Sequence, residues 1–192
     1  MRMEMFPDDW TVPKRGAAFI AEEARSSVPA RGHFLLALSG GKTPWKMLQA
    51  LAKETVPWDQ IHIFQVDERV APKGHPDRNL TTLWEILLSL TPLDESHIHG
   101  MPVEEEDLDA GASHYAETLR LRGGNPPVLD LVHLGLGADG HTAFTRAGGR
   151  RPWGGGSERG PHRALFRSAT HDPHLPDDQS RPKNPLACDR RR

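Results

Sequence analysis

The sequence predicts an α/β fold, a doubly wound, mostly parallel sheet with helices on both faces. Three observations predict it. The apolar runs HFLLAL (33–38), IHIFQV (61–66) and LDLVHLGL (129–136) have the length and composition of buried strands. Segments of helical periodicity separate them. Each run also ends in a loop rich in glycine or charge. Strands alternating with helices imply βαβ units and a parallel sheet.

The elements follow in order. Residues 14–27, KRGAAFIAEEARSS, place Ala17, Ala18, Ile20, Ala21 and Ala24 at helical spacing. HFLLAL is short and continuously apolar, as a strand buried on both faces must be. Ser39-Gly40-Gly41-Lys42 reads as a loop. Thr43 stands where an N-cap belongs and Pro44 where the first helical residue belongs, and PWKMLQALAKE continues as a helix. Pro57 ends that stretch. IHIFQV alternates and is partly β-branched, which predicts a second strand. A polar loop over 67–79 leads to Asn79, a candidate cap for a helix over 80–90 that ends before Pro92. Residues 107–122 predict another helix, closed by Gly123-Gly124. LDLVHLGL is the third strand, followed by Gly137-Ala138-Asp139-Gly140-His141. The indoles of Trp45 and Trp84 fall on apolar helix faces and are expected in the core.

Charge and composition divide the chain. Its 192 residues carry a formal net charge of −2. Residues 1–144 hold 13 Lys+Arg against 21 Asp+Glu, whereas 145–192 hold 11 against 5. Ile, Leu, Val and Phe fall from 36 of 144 residues to 4 of 48. The second segment cannot bury enough apolar surface to offset its conformational entropy, so a basic, disordered tail over 145–192 is expected beside an α/β domain over 1–144. The whole-chain charge indicates no nucleic-acid partner. No run approaches the roughly 18 apolar residues of a membrane span. The acidic stretch Met1–Trp10 lacks the apolar centre of a secretory signal. Cys188 is the single cysteine, which excludes an internal disulfide and a Cys-rich zinc site. A soluble, cytoplasmic, monomeric protein is expected.

In parallel sheets ligands bind beyond the carboxyl ends of the strands. Three loops leave those ends. In the first, Gly40 and Gly41 let the backbone approach a ligand, the following helix start favours an anion, and Ser39, Lys42 and Thr43 add donors. An ordinary tight strand-to-helix turn has the same residues. The loop matches neither the dinucleotide nor the triphosphate glycine pattern. The second opens Asp67-Glu68-Arg69. Arg69 suits a forked contact to a phosphate or carbonyl, with Asp67 orienting it or a sugar hydroxyl; a surface ion pair is the alternative. The third presents His141, a natural general acid or base, with Asp139 two residues before it; an idle loop histidine is the alternative. His97 and His99 have an H-x-H spacing without an evident third ligand, so no metal is expected there. The run Glu104–Asp107 reads as a solvated helix entry.

Taken together, LALSGGKTP (36–44), VDERV with DRNL (66–80) and LDLVHLGLGADGHTAF (129–144) resemble the 6-phosphogluconolactonases, a family with a Rossmann-like sheet. The resemblance implies hydrolysis of 6-phospho-D-glucono-1,5-lactone to 6-phosphogluconate in the oxidative pentose phosphate pathway, with a sugar phosphate as the partner and neither metal nor organic cofactor. It assigns Gly40, Gly41 and Thr43 to the sugar-phosphate pocket, Arg69 to substrate contact and His141 to acid–base catalysis. The related glucosamine-6-phosphate deaminases usually carry an aromatic after Asp-Glu and Asn-Glu-Pro after the histidine turn; this sequence has neither. A non-catalytic sugar-phosphate-binding module is the other reading.

The resemblance stops at Thr145. Where the family continues with Ser-Leu-Phe-Pro, this sequence reads TRAGGRRPWGGGSERG. Together with the swing in composition, this implies a sheet incomplete at its C-terminal end. It also implies a shifted reading frame from about residue 144 and little or no turnover. Translating the coding DNA in its other two frames tests the frame directly.

Overall fold

At the centre of the sheet, β1 (Phe34–Leu38) pairs in parallel with β2 (Ile61–Gln65) on one side and β4 (Leu131–His133) on the other. The two-residue β3 (Ile98–His99) adds to the far side of β2, giving the order β3-β2-β1-β4. The computed structural model describes residues 4–8, 10–136 and 142. The expected tail over 145–192 lies outside them. All five residues of β1 and all five of β2 are buried, as strands covered on both faces must be.

The covering helices lie on both faces. Phe34, Leu36, Leu38, Ile61 and Ile63 pack with residues from α1 (Thr11–Arg31), α2 (Lys42–Leu51) and α3 (Asn79–Ile86). Leu35, Ala37, Phe64 and Val66 point the other way, toward Tyr115 and Leu119 of α4 (Leu108–Gly123). A doubly wound parallel sheet is therefore observed. Small residues set the close approach of α1 to α2. Ala17, Ala21 and Ala24 are fully buried, and a Cβ on Gly16 would stand 2.8 Å from Met47 Sδ.

Several element boundaries differ from expectation for local reasons. α1 runs past Ser27 to Arg31, where Gly32 adopts φ 78° and its N–H donates to Val28 O. α2 is not capped by Thr43. Gly41, at φ 123°, is the N-cap; Lys42 and Thr43 are already helical, and Pro44 sits inside the first turn, where a missing N–H removes no helical bond. α3 starts at Asn79 rather than being capped by it, and gives way after Ile86 to a 3-10 turn over Leu88–Leu90. That break lets the adjacent Leu87 and Leu88 both bury. Trp84, expected in the core, is 42 % exposed, whereas Trp45 packs against the core. α4 matches its expected limits, with the Asp107 carboxylate accepting from the N–H groups of Asp109 and Ala110.

β4 is shorter than the apolar run that predicted it. It pairs only with Leu36–Leu38, and β1 ends at Leu38, so the continuation has no ladder to join. Asp130 fixes its entry. Its carboxylate accepts from Leu35 N–H at 2.7 Å and pairs with Arg31 at 2.7 Å, and its own N–H donates to Leu35 O. β3 was not foreseen, because two residues are too few to show a period.

Candidate functional site

The order β3-β2-β1-β4 puts the topological switch at β1, since the chain proceeds from β1 to β2 on one side and returns to β4 on the other. The crevice beyond the carboxyl ends of β1 and β4 is where such sheets bind ligands. The first loop, Ser39–Gly41, leaves β1 at this point. Ser39 is buried, while Gly41, Lys42 and Thr43 are exposed. A Cβ on Gly135, just after β4, would lie 3.9 Å from Gly40 O and 4.0 Å from Ser39 Oγ. The first loop and the start of the third therefore touch.

The second loop closes against the first from the other side. A Cβ on Gly40 would fall 2.0 Å from Asn79 Oδ1, so only glycine fits there beside the asparagine amide. Asn79 Nδ2 donates to Asp67 Oδ1 at 2.9 Å and to Asp67 O at 3.1 Å. Asp67 is buried and pairs with the half-exposed Arg69 guanidinium, Oδ1 to Nη1 3.8 Å. Gly40, Asn79, Asp67 and Arg69 thus form one chain of contacts.

Glu68 organises that chain, and sequence reasoning passed it over. It is fully buried. Its carboxylate accepts from the N–H groups of Arg69 (2.8 Å), Asn79 (2.7 Å) and Leu80 (2.9 Å) and from Gln65 Nε2 (2.8 Å). Arg78, also buried, pairs with Glu68 through Nε at 3.5 Å and with Glu104 through Nη1. This is how a buried carboxylate is tolerated, with its charge matched and its lone pairs filled. The carboxylate also caps α3, which frees the Asn79 side chain to reach Asp67.

The helix starts differ in charge. Asp8 accepts from the N–H groups of Trp10 and Thr11 at α1; Glu68 serves α3, and Asp107 serves α4. Among the described residues α2 has no side-chain cap and no acid in its first turn, and it carries Lys42 as its first residue. A lysine there opposes the helix dipole, so an anion at this end is favoured twice.

Of the site residues expected from sequence, the structure brings Ser39, Gly40, Gly41, Lys42 and Thr43 together beyond the carboxyl end of β1, with Asp67 and Arg69 beside them beyond β2. His141 and Asp139 lie outside the described residues. Their neighbour Thr142 is half-buried and, like Arg69, occupies an isolated β-bridge. Among the described residues no cluster of three or more His, Cys, Asp or Glu is arranged to hold a metal, and no helix is long and apolar enough to cross a membrane.

Residues 7–144 match the family model of glucosamine-6-phosphate isomerases/6-phosphogluconolactonase. The chain is 36 % identical over 134 residues to a 6-phosphogluconolactonase of Synechocystis, covering 68 % of this chain and 56 % of the relative. It is 33 % identical over 145 residues to one of Nostoc, covering 73 % and 60 %. A solved 6-phosphogluconolactonase from Shewanella baltica superposes with a TM-score of 0.61 at 31 % identity, over 73 % of this chain and 59 % of that one. The chain thus spans less than two thirds of the length of these relatives.

Proposed function

The chain belongs to the family of glucosamine-6-phosphate isomerases and 6-phosphogluconolactonases, and on that premise we propose that its crevice is a 6-phosphogluconolactone site. The observation that carries this reading is the start of α2. Among the described residues it is a helix end without a carboxylate, with Lys42 as its first residue, set at the sheet's switch point and linked through Gly40 and Asn79 to the Asp67–Arg69 pair. That arrangement suits a phosphate ester at one end of a polyhydroxylated ring. The relatives at 36 % and 33 % identity carry the lactonase name. The likeness to a glucosamine-6-phosphate deaminase, at 17 % identity, concerns the fold alone.

In this reading Gly40, Gly41, Lys42 and Thr43 bind the phosphorylated sugar, with Ser39 behind them. Asp67 orients Arg69, and Arg69 contacts the substrate. His141, with Asp139 beside it, takes a proton from the water that attacks C1. The tetrahedral species collapses with cleavage of the bond from C1 to the ring oxygen, and His141 returns the proton to that oxygen. Arg69 or a loop amide steadies the oxyanion. General acid–base assistance of this kind is typically worth about 10² to 10⁴ in rate. The sequence departs from the family pattern at Thr145, so we expect product binding with little or no acceleration of lactone hydrolysis. We place the protein in the cytoplasm as a monomer.

Thermal unfolding with and without 6-phosphogluconate tests the reading. Ligand at a hundredfold excess over Kd adds about 2.7 kcal/mol to the folded state. The expected result is a saturable rise in Tm that persists in His141→Ala, with glucose lacking phosphate inert. No rise at millimolar 6-phosphogluconate overturns the assignment, and ammonia released from glucosamine 6-phosphate replaces it with the deaminase reaction.

A further inference from the structure

At the end of the sheet opposite the crevice, four histidines gather. His33 precedes β1, His62 lies on β2, His97 ends the 3-10 turn Glu95–His97, and His99 lies on β3. His62 Nδ1 and His99 Nε2 are 3.1 Å apart, one ring donating its N–H to the other across the β2–β3 boundary. The His97 ring lies 4.2 Å from that of His62, and the His33 ring 6.4 Å. His99 also stacks on Phe64 at 4.5 Å. Two residue pairs, Ile63 with Ile98 and Phe64 with His99, set the register of β3 on β2, and the His62–His99 hydrogen bond ties the strand to β2 beside them.

The charges that face the pair are nearly all basic. His33, His97 and Arg122 of α4 act on His62, and His97 and Arg122 act on His99. The exposed Asp94 carboxylate interacts with His97. Burial, followed by the neighbouring histidines and Arg122, holds both His62 and His99 down at about 4. The neutral pair has one bridging proton. When both rings are protonated, two N–H donors face each other and two charges share a half-buried space.

β3 is also wired to the crevice. Just after it, Met101 N–H donates to Gln65 Oε1 at 2.8 Å. Gln65 Nε2 donates to Glu68 at 2.8 Å, and Glu68 holds the N–H groups of Arg69, Asn79 and Leu80. We propose that the His62–His99 pair is an acid-released latch, whose protonation frees β3 from β2 and, through Met101, Gln65 and Glu68, loosens the loop carrying Asp67, Arg69 and Asn79.

The sign follows from linkage. Both groups bind protons more weakly in the latched state, so latching is fully favoured above about 6.5 and is lost progressively as pH falls toward about 4. Each group multiplies the opening equilibrium on the order of tenfold or more between pH 7 and pH 5.

Amide hydrogen exchange on the full chain, corrected for the intrinsic pH dependence, tests the proposal without any sugar phosphate. Its outcome is therefore separate from that of the lactone-site reading. The expected result is a loss of protection at Ile98, His99 and Met101 of at least tenfold between pH 7 and pH 5, with Arg69, Asn79 and Leu80 following and Leu35–Leu38 unchanged. The double variant His62→Asn/His99→Gln keeps neutral hydrogen-bonding groups and is expected to abolish the pH dependence. Protection of β3 that is independent of pH, or lost in step with β1, overturns the latch, as does an unchanged pH dependence in the double variant. Opening of β3 with Arg69, Asn79 and Leu80 still protected overturns the wiring to the crevice.

Discussion

Gly40 is the residue on which the first and second loops meet. Any side chain there collides with Asn79 Oδ1, and Asn79 is short and held by two bonds to Asp67, so it has little room to yield. Gly40→Ala is expected to displace Asn79 from Asp67 and to weaken 6-phosphogluconate binding at least tenfold, about 1.4 kcal/mol, measured by calorimetric titration. Unchanged affinity would show that the contact is incidental. The glycine was legible in the sequence as a loop residue that admits a ligand. Its tighter constraint was not, because Asn79 is distant in the chain and reaches it only through the fold. Arg69 and Asp67 were legible as a pair. Glu68 was hidden between them, since nothing local distinguishes a buried carboxylate from a solvated one.

At the scale of the element, the starts of α2 and α3 divide two tasks. Glu68 fills the start of α3 and makes it structural, leaving the start of α2 to face the crevice. Glu68→Ala would leave Arg78 with Glu104 alone and strand the N–H groups of Arg69, Asn79 and Leu80 together. The cost is expected to be about 3–5 kcal/mol, the range for breaking a buried ion pair, read from urea unfolding. A loss below about 1 kcal/mol, the range of a surface pair, would contradict the capping role. Thr43 and Pro44 misplaced the start of α2, because the cap preference of threonine was overridden by Gly41, whose φ of 123° turns the chain earlier. β1 and β2 were legible because burial on both faces forces continuous apolar runs. β4 was overread, since its apolar run outlasts the ladder available to it.

For the whole molecule, the alternation of strands and helices in the sequence predicts the parallel sheet, and the parallel sheet places the ligand crevice at its carboxyl edge. The family match ends at residue 144, where the balance of charge and apolar residues also turns. The turn in composition is legible in the sequence; the histidine gathering is not, because His33, His62 and the His97–His99 pair come together only when β1, β2 and β3 align.

In the proposed site Ser39–Thr43, Asp67, Arg69 and the start of the third loop serve one sugar phosphate, and nuclear magnetic resonance titration of the nitrogen-15-labelled chain with 6-phosphogluconate tests this. The amides of Gly40, Gly41, Lys42, Thr43, Arg69 and Gly135 are predicted to shift together along one saturation curve. Shifts confined to other surfaces, or the two sides of the crevice responding with different affinities, would contradict it.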